Sequence, residues 1–322
     1  MAVVRSGSQI DHYAIEELVT ESSTASIYRA INRDTGRQVA LQVPHPDVEG
    51  DLLFYNRFCR EREIGIKLNH PSVVKVIRED HPSTIYIALE WVEGELLRKI
   101  LNNERKLVPD RALKIAAGVC DALEYIHAQG VVHRDLKPEN IMVDSEDRVK
   151  LIDFGVASEA GARRLTFGKL SQVMGTADYI SPEQVKSKRG DARSDIYALG
   201  VILYEMLTGN TPFPGSNPFV IMNSRLVNHP VPPREIDPEI SPQMQEVIYR
   251  ALEREPKHRY ATAREFSWDL RHLDQVGIDE RCELLEWKRR RRVWAKPLIQ
   301  YGSLALIPIV ILVMLLYVAR HT

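Results

Sequence analysis

The sequence predicts an α+β chain built as two lobes, a small β-rich one over residues 10–93 and a larger helical one over 94–274. Three observations carry that expectation. Before Gly94, short apolar alternations are separated by turn residues, the period-two signature of strands. After Gly94, apolar residues recur at three- and four-residue steps, the signature of amphipathic helices. Beyond both lobes, a charged segment over 275–297 leads into an apolar run from Leu298 to Ala319, which reads as a membrane-spanning helix.

In chain order, Ile10, Tyr13, Ile15 and Leu18 mark a first strand and Ile27, Tyr28, Ala30 and Ile31 a second, around a turn of small residues from Thr20 to Ser26. Val39-Ala40-Leu41-Gln42-Val43 is a third strand. Residues 51–69 read as a helix ending at Asn69-His70-Pro71, with strands at Val73–Ile77 and Ile85–Glu90. Pro109–Gln129 is a long helix: Ala112, Ile115, Ala116, Val119, Leu123 and Ile126 share a face, and Gly130 ends it. Short strands follow at Ile141–Val143 and Val149–Ile152. Residues 195–209, 216–228, 241–253 and 262–274 are helical, with a proline-rich connector from Pro230 to Pro242. The charged segment before the apolar run is expected to be helical in part.

The chain has 322 residues, 44% hydrophobic and 27% charged, with a net charge of −1. Such a balance fits an ordinary folded core and gives no global attraction to nucleic acid. Cys59, Cys120 and Cys282 form no CxxC pair, which argues against a zinc site or disulfide framework and fits a reducing compartment. The N-terminus has no apolar run, so no signal peptide is expected. At about 1.5 Å rise per residue, a helix over Leu298–Ala319 crosses a hydrocarbon core of about 30 Å. A buried C-terminal helix is the bland alternative, but apolar residues occupy every face and no polar stripe remains. Pro308 kinks such a span without forbidding it. Lys288-Arg289-Arg290-Arg291-Arg292 and Lys296 precede it, so the positive-inside rule places both lobes in the cytoplasm. The expectation is a single-pass membrane protein whose C-terminus (Arg320, His321, Thr322) lies on the opposite side and which has no extracellular sensor domain of its own.

The chemistry concentrates in His133-Arg134-Asp135-Leu136-Lys137-Pro138-Glu139-Asn140, followed by Asp153-Phe154-Gly155. Together they supply a proton acceptor, a phosphate-binding lysine and two magnesium ligands, the inventory that phosphoryl transfer needs. Three independently placed groups, the acceptor and the two ligands, make a merely solvated loop a weak explanation. Gly175-Thr176 and Ser181-Pro182-Glu183 follow in the same order and spacing.

On these motifs the chain resembles the eukaryotic-like (Hanks-type) serine/threonine protein kinases, most closely the bacterial membrane-anchored type, over residues 10–274. The resemblance implies a two-lobed protein-kinase fold, with ATP and Mg²⁺ in the cleft between the lobes. It implies that Asp135 accepts the substrate proton, that Lys137 neutralises the moving phosphoryl group, and that Asn140 and Asp153 ligate Mg²⁺. It places Leu89 at the gatekeeper position, Glu90-Trp91-Val92 at the hinge, and Ile27, Ala40 and Met142 around the purine. Core packing alone also accounts for such apolar residues. It further implies a buried pair between Glu183 and Arg259, and a supporting helix carrying Asp195 and Gly200. A phosphate on Thr166 or Ser171 would dock against Arg134, while Thr176 serves substrate recognition.

Two departures from the family stand out. Its glycine-rich loop, GxGxxGxV, reads here Thr20-Glu21-Ser22-Ser23-Thr24-Ala25-Ser26-Ile27, with all three glycines replaced. Glycine permits close backbone approach to phosphate and positive φ. The family's VAIK reads Val39-Ala40-Leu41-Gln42, so an uncharged Gln42 stands where a lysine normally contacts phosphates and pairs with the helical glutamate, here Glu61. A charge-assisted bond is roughly twice as strong as a neutral one. No lysine lies between residues 14 and 41 to replace it, and Arg29 is the nearby cation. Two readings follow: a serine/threonine kinase of reduced activity acting on protein hydroxyls, favoured because the magnesium ligands are complete, or a pseudokinase acting as a membrane-tethered scaffold or allosteric regulator of a partner kinase. A kinase of non-protein substrates fits less well with the activation-segment ending. A homodimer, through the small lobe or the apolar helix, is compatible with either reading.

Overall fold

A computed structural model describes residues 6–22, 24–45, 52–153, 158–159, 177–281 and 284. The chain divides after Gly277. Among the described residues no helix is long and apolar enough to cross a membrane, and the run Leu298–Ala319 lies outside them, as does most of the segment 275–297.

The first lobe is a six-stranded sheet in the order β1-β2-β3-β4-β6-β5. Its strands are β1 (Gln9–Ile10), β2 (Tyr13–Glu21), β3 (Ala25–Asn32), β4 (Gln38–Pro44), β5 (Val76–Ile77) and β6 (Ile87–Glu90), all paired antiparallel. Alternation along β4 buries Val39, Leu41 and Val43 with Tyr13, Ile15, Tyr28 and Tyr86 on one face. The other face carries Ile87, which packs with Val76 and with Phe58 of helix α1 (Leu52–Lys67). Gly65 lets α1 approach β5 closely, since a Cβ there would meet a Val76 methyl at 2.2 Å.

Gly94 marks the passage to the second lobe. Its φ of 133° suits only glycine, and a Cβ would meet the Val143 carbonyl at 2.4 Å. There follow β7 (Glu95–Leu96), α2 (Leu97–Glu104) and α3 (Pro109–Ala128). Proline at the first helical position and Asp110 in the first turn favour the start of α3. Its buried face, with Ile115, Val119 and Leu123 fully enclosed, forms the spine of the large core. Burying each large aliphatic side chain contributes roughly 1.5–3 kcal/mol. Then come β8 (Val131–Val132), a 3₁₀ turn (Pro138–Asn140), β9 (Ile141–Val143), β10 (Val149–Leu151) and β11 (Ser158–Glu159). The remaining helices are α4 (Pro182–Val185), α5 (Ala192–Thr208), α6 (Pro218–Val227), α7 (Pro233–Ile236), α8 (Pro242–Ala251) and α9 (Ala263–Arg271). Asp191 caps α5 by accepting from the Arg193 amide, and Gly209 closes it in the left-handed region.

The expected strand Val73–Ile77 is shorter than its apolar pattern. Val74 N donates to Leu151 O (2.8 Å) and Leu151 N to Ser72 O (2.9 Å), so Val73 and Val74 pair with β10 and join the lower core. Only Val76–Ile77 reaches the upper sheet. The strand expected over Ile85–Glu90 begins at Ile87, and the proline-rich connector contains α7.

Candidate active site

The loop after β8 is pinned from below by one buried carboxylate. Asp195, in the first turn of α5, accepts from the amides of His133 (2.9 Å) and Arg134 (2.7 Å) and bonds His127 Nε2 (2.8 Å). Burial pushes the Asp195 carboxyl up, but its bond and charge interaction with His127, with His133 and the Arg134 amide, outweigh that and hold it below its ordinary range. Arg134 sits at φ 66°. Non-glycine residues tolerate that conformation only when their surroundings over-determine it. Here Asp195 takes the Arg134 amide and Gln184 Nε2 donates to its carbonyl (3.0 Å).

Asp135 follows, its carboxylate receiving Lys137 Nζ at 2.8 Å. Burial raises the Asp135 carboxyl; Lys137 opposes this and the nearby Asp153 charge adds to it. Burial pulls the Lys137 ammonium down, yet Asp135 outweighs it and the net direction is up. Both groups move up, Asp135 because burial outweighs Lys137 and Lys137 because Asp135 outweighs burial. The pair therefore keeps Lys137 charged while making Asp135 a stronger proton acceptor than a solvated aspartate.

Asn140 closes the 3₁₀ turn. It is 4% exposed, its Nδ2 donates to the Asp135 carbonyl (2.9 Å), and its own carbonyl accepts from Ile152 N (3.0 Å). With the amide nitrogen so engaged, Oδ1 is the atom that remains to meet a cation. Asp153, next to Ile152, is exposed and adopts φ 96°. These two oxygen donors, completed by phosphate and water oxygens, suit Mg²⁺, which rarely takes an all-protein cage. Among the described residues no three His, Cys, Asp or Glu side chains gather into a metal site. Residues 154–157 and 160–176, with Thr166, Ser171 and Thr176 among the latter, lie outside the described residues.

In the first lobe the strand register places the sequence-predicted pocket residues on one face. Ile27 lies opposite Gln42, and Ala40 opposite Leu89, with all four half-buried. Ile87, across from Gln42, turns to Phe58 of α1. Glu61 lies three residues beyond Phe58 on that helix and is half-buried. Arg29 is on the same sheet face, but its guanidinium goes to Glu16 (2.9 Å), Glu17 (3.3 Å) and the face of Trp91. The β2–β3 turn is closed on itself. Ser22 Oγ accepts from the amides of Ala25 (3.0 Å) and Thr24 (3.3 Å), and Ser22 N donates to Ala25 O (2.9 Å). His45 ties the turn to the end of β4, through its amide to Thr24 O and Nε2 to Ser26 Oγ (2.9 Å each).

Between the lobes, Glu90 Oε1 receives both the Lys75 amide and Lys150 Nζ, each at 2.7 Å. Val92 and Leu89 pack on the lower core, and Met142 on β9 is half-buried opposite Leu96.

Sequence reasoning missed one cluster. Arg98 on α2 donates to Glu139 (2.8 Å) within the catalytic loop, to Glu205 (2.8 Å) on α5, and to the Tyr179 hydroxyl, which itself donates to Glu205 (2.5 Å). No local motif announces it, since Arg98 and Glu205 are 107 residues apart. By contrast, the expected Glu183–Arg259 pair is present, bidentate at 2.7 and 2.8 Å, with the arginine wholly buried.

The family model described as "Protein kinase domain" matches residues 13–268. The chain belongs to the protein kinase family. As a protein kinase domain it is 39% identical, over 80% of its length, to a probable serine/threonine-protein kinase of Streptomyces coelicolor, covering 39% of that protein. It is 35% identical to the serine/threonine-protein kinase PknB of Mycolicibacterium smegmatis (89% of this chain, 47% of that one). Against PknB of Mycobacterium tuberculosis strain H37Rv the identity is 37%, over 81% of this chain and 42% of that protein. The chain thus spans less than half the length of these curated relatives.

Proposed function

We propose that this chain is the kinase portion of a serine/threonine protein kinase, moving the γ-phosphoryl group of ATP to protein hydroxyls at a rate limited by its nucleotide clamp. One observation carries the reading: Asp135, Lys137 and Asn140 are held in a single hydrogen-bonded loop anchored by the buried Asp195. Mg-ATP supplies the phosphoryl group when bound. Asn140 and Asp153 would hold the metal, Lys137 offsets developing negative charge, and Asp135 orients the acceptor hydroxyl and takes its proton. Ile27, Ala40, Leu89 and Met142 would enclose the purine, beside the main chain of Glu90 and Val92.

The first lobe favours a second reading, a pseudokinase that scaffolds or regulates a partner kinase. The amides of Thr24 and Ala25 point into Ser22 Oγ rather than outward, and the cation Arg29, on the same sheet face, is engaged elsewhere. Gln42 then stands in the role of the family lysine without a charge.

One experiment separates the two. Mg-ATP binding and phosphate transfer, to the chain itself and to a generic basic protein, are measured for the full chain and for Asp135→Asn. Turnover abolished by Asp135→Asn supports the enzyme. Binding without turnover, indifferent to that substitution, leaves the scaffold.

We further infer a membrane anchor over Leu298–Ala319, with the kinase domain in the cytoplasm beside the cluster Lys288–Arg292 and the C-terminus opposite. Resistance of the chain to alkaline extraction from membranes tests this; release by alkali overturns it.

A further inference from the structure

The largest fully buried side chain among the described residues is a cation outside the machinery described above. Arg225 on α6 is 2% exposed. Its Nη1 donates to the carbonyls of Ala177 (2.7 Å) and Ile180, and its Nη2 to that of Asp178 (2.6 Å). The rings of Tyr197 and Phe213 flank the guanidinium, with centroids at 5.8 and 5.7 Å. A buried charge is costly unless it is satisfied, and here the negative ends of three peptide dipoles meet its two Nη atoms. Only a planar fork reaches three carbonyls spread over four residues; an ammonium is a compact point charge on a flexible stem.

The segment it holds is not an ordinary loop. Tyr179 and Ile180 line a small cavity together with Arg134, Asp135 and Leu136. On its other side Tyr179 is fixed by Arg98 and Glu205. Four residues after Ile180, Gln184 grips the Arg134 carbonyl. Tyr179 and Ile180 therefore form a wall beside Asp135, and α6 holds the segment Ala177–Ile180 that carries it.

We propose that Arg225 is a positioning residue for the protein acceptor: it holds Ala177–Ile180 in the geometry against which a hydroxyl-bearing polypeptide lies next to Asp135. The proposal rests on the kinase reading above. It separates acceptor binding from nucleotide binding, because the bonds of Arg225 go to Ala177, Asp178 and Ile180 rather than to the cleft strands or the magnesium ligands.

The test uses the full chain, with Arg225→Ala and Arg225→Lys. Amide hydrogen exchange over residues 177–184 is measured, together with KM for ATP and for a basic acceptor protein. For Arg225→Ala the expected result is exchange about tenfold faster in that segment and an acceptor KM raised about tenfold, equivalent to ~1.4 kcal/mol, with the ATP KM within about twofold. Arg225→Lys should restore part of both. Unchanged exchange, or equal losses for ATP and acceptor, overturns the proposal. If Arg225→Ala does not fold, Arg225→Lys alone decides, by the same split. If the wild-type chain transfers no phosphate, the functional reading falls separately, and direct binding of the acceptor protein to wild type and variant takes the place of KM.

Discussion

The β2–β3 turn and the catalytic loop are built on opposite plans. The turn is stabilised by Ser22 on its immediate neighbours and by His45 at the end of the adjoining strand, 19 residues from Ser26. The loop is held from a distance, by Asp195 on α5, Gln184 on α4 and Arg98 on α2. A locally closed element can change its residues without disturbing the rest of the protein. A loop whose partners lie 41 to 62 residues away cannot. On the reading proposed above, Thr20, Ser22 and Ala25, which depart from the family pattern, belong to the turn, and Asp135, Lys137 and Asn140, which keep it, belong to the loop.

Substitutions on either side of this divide sharpen or break it. The largest effect is expected from Asp135→Asn, which should lower phosphate transfer by about 10²–10⁴-fold while leaving Mg-ATP binding intact; transfer and calorimetry on the same sample check both. Next, Glu183→Ala should destabilise the fold by about 3–5 kcal/mol, because it strands the buried Arg259, as read by denaturant unfolding. The same pair sets a pH dependence. Burial pushes the Glu183 carboxyl up, but Arg259 and Ser194 outweigh it and hold it below its ordinary 4.5. A depressed folded value means the stabilisation is complete above 4.5 and is lost as pH falls through the folded value. Wild type should therefore lose stability below that pH more steeply than Glu183→Gln, and parallel curves would remove the pair as a cause.

Third, Gln42→Lys introduces a charge opposite Ile27 and Ile87, and on the reading proposed above turnover should rise about tenfold or more, each ~1.4 kcal/mol being a factor of ten. No rise would show that the closed turn, rather than the missing charge, limits the clamp. The smallest effect belongs to Ser22→Gly. It removes the Oγ acceptor of two amides, and thermal melts should show a loss of about 0.5–1.5 kcal/mol with the catalytic loop's exchange protection unchanged.

What the sequence revealed follows the same divide. Asp135, Lys137 and Asn140 were legible because their spacing is contiguous and chemically constrained, and Glu183 with Arg259 because the family pattern links them. The α3 core face was legible from its helical period. Arg98, Arg225 and the double use of Glu90 were not, since each joins residues that only the folded chain brings together. Val73 and Val74 misled for a related reason: their apolar pattern reports burial but not which lobe supplies the partner, and the partner is Leu151. The positive φ at Arg134 left no trace in the sequence, because a side chain in that setting is sustained by bonds from Asp195 and Gln184 rather than by glycine.

The shared oxygen of Glu90 has a consequence for motion. It joins an amide of the upper sheet's approach to an ammonium of the lower hairpin, so one ion pair ties the two lobes together. Swinging them apart must stretch an ion pair that is partly open to water, with Lys150 22% and Glu90 33% exposed. At physiological strength dissolved salt screens charges more than about 8 Å apart, so the 2.7 Å contact is little screened while an opened pair is. Breathing of the hinge is thereby coupled to ionic strength, and Lys150→Met should erase that coupling.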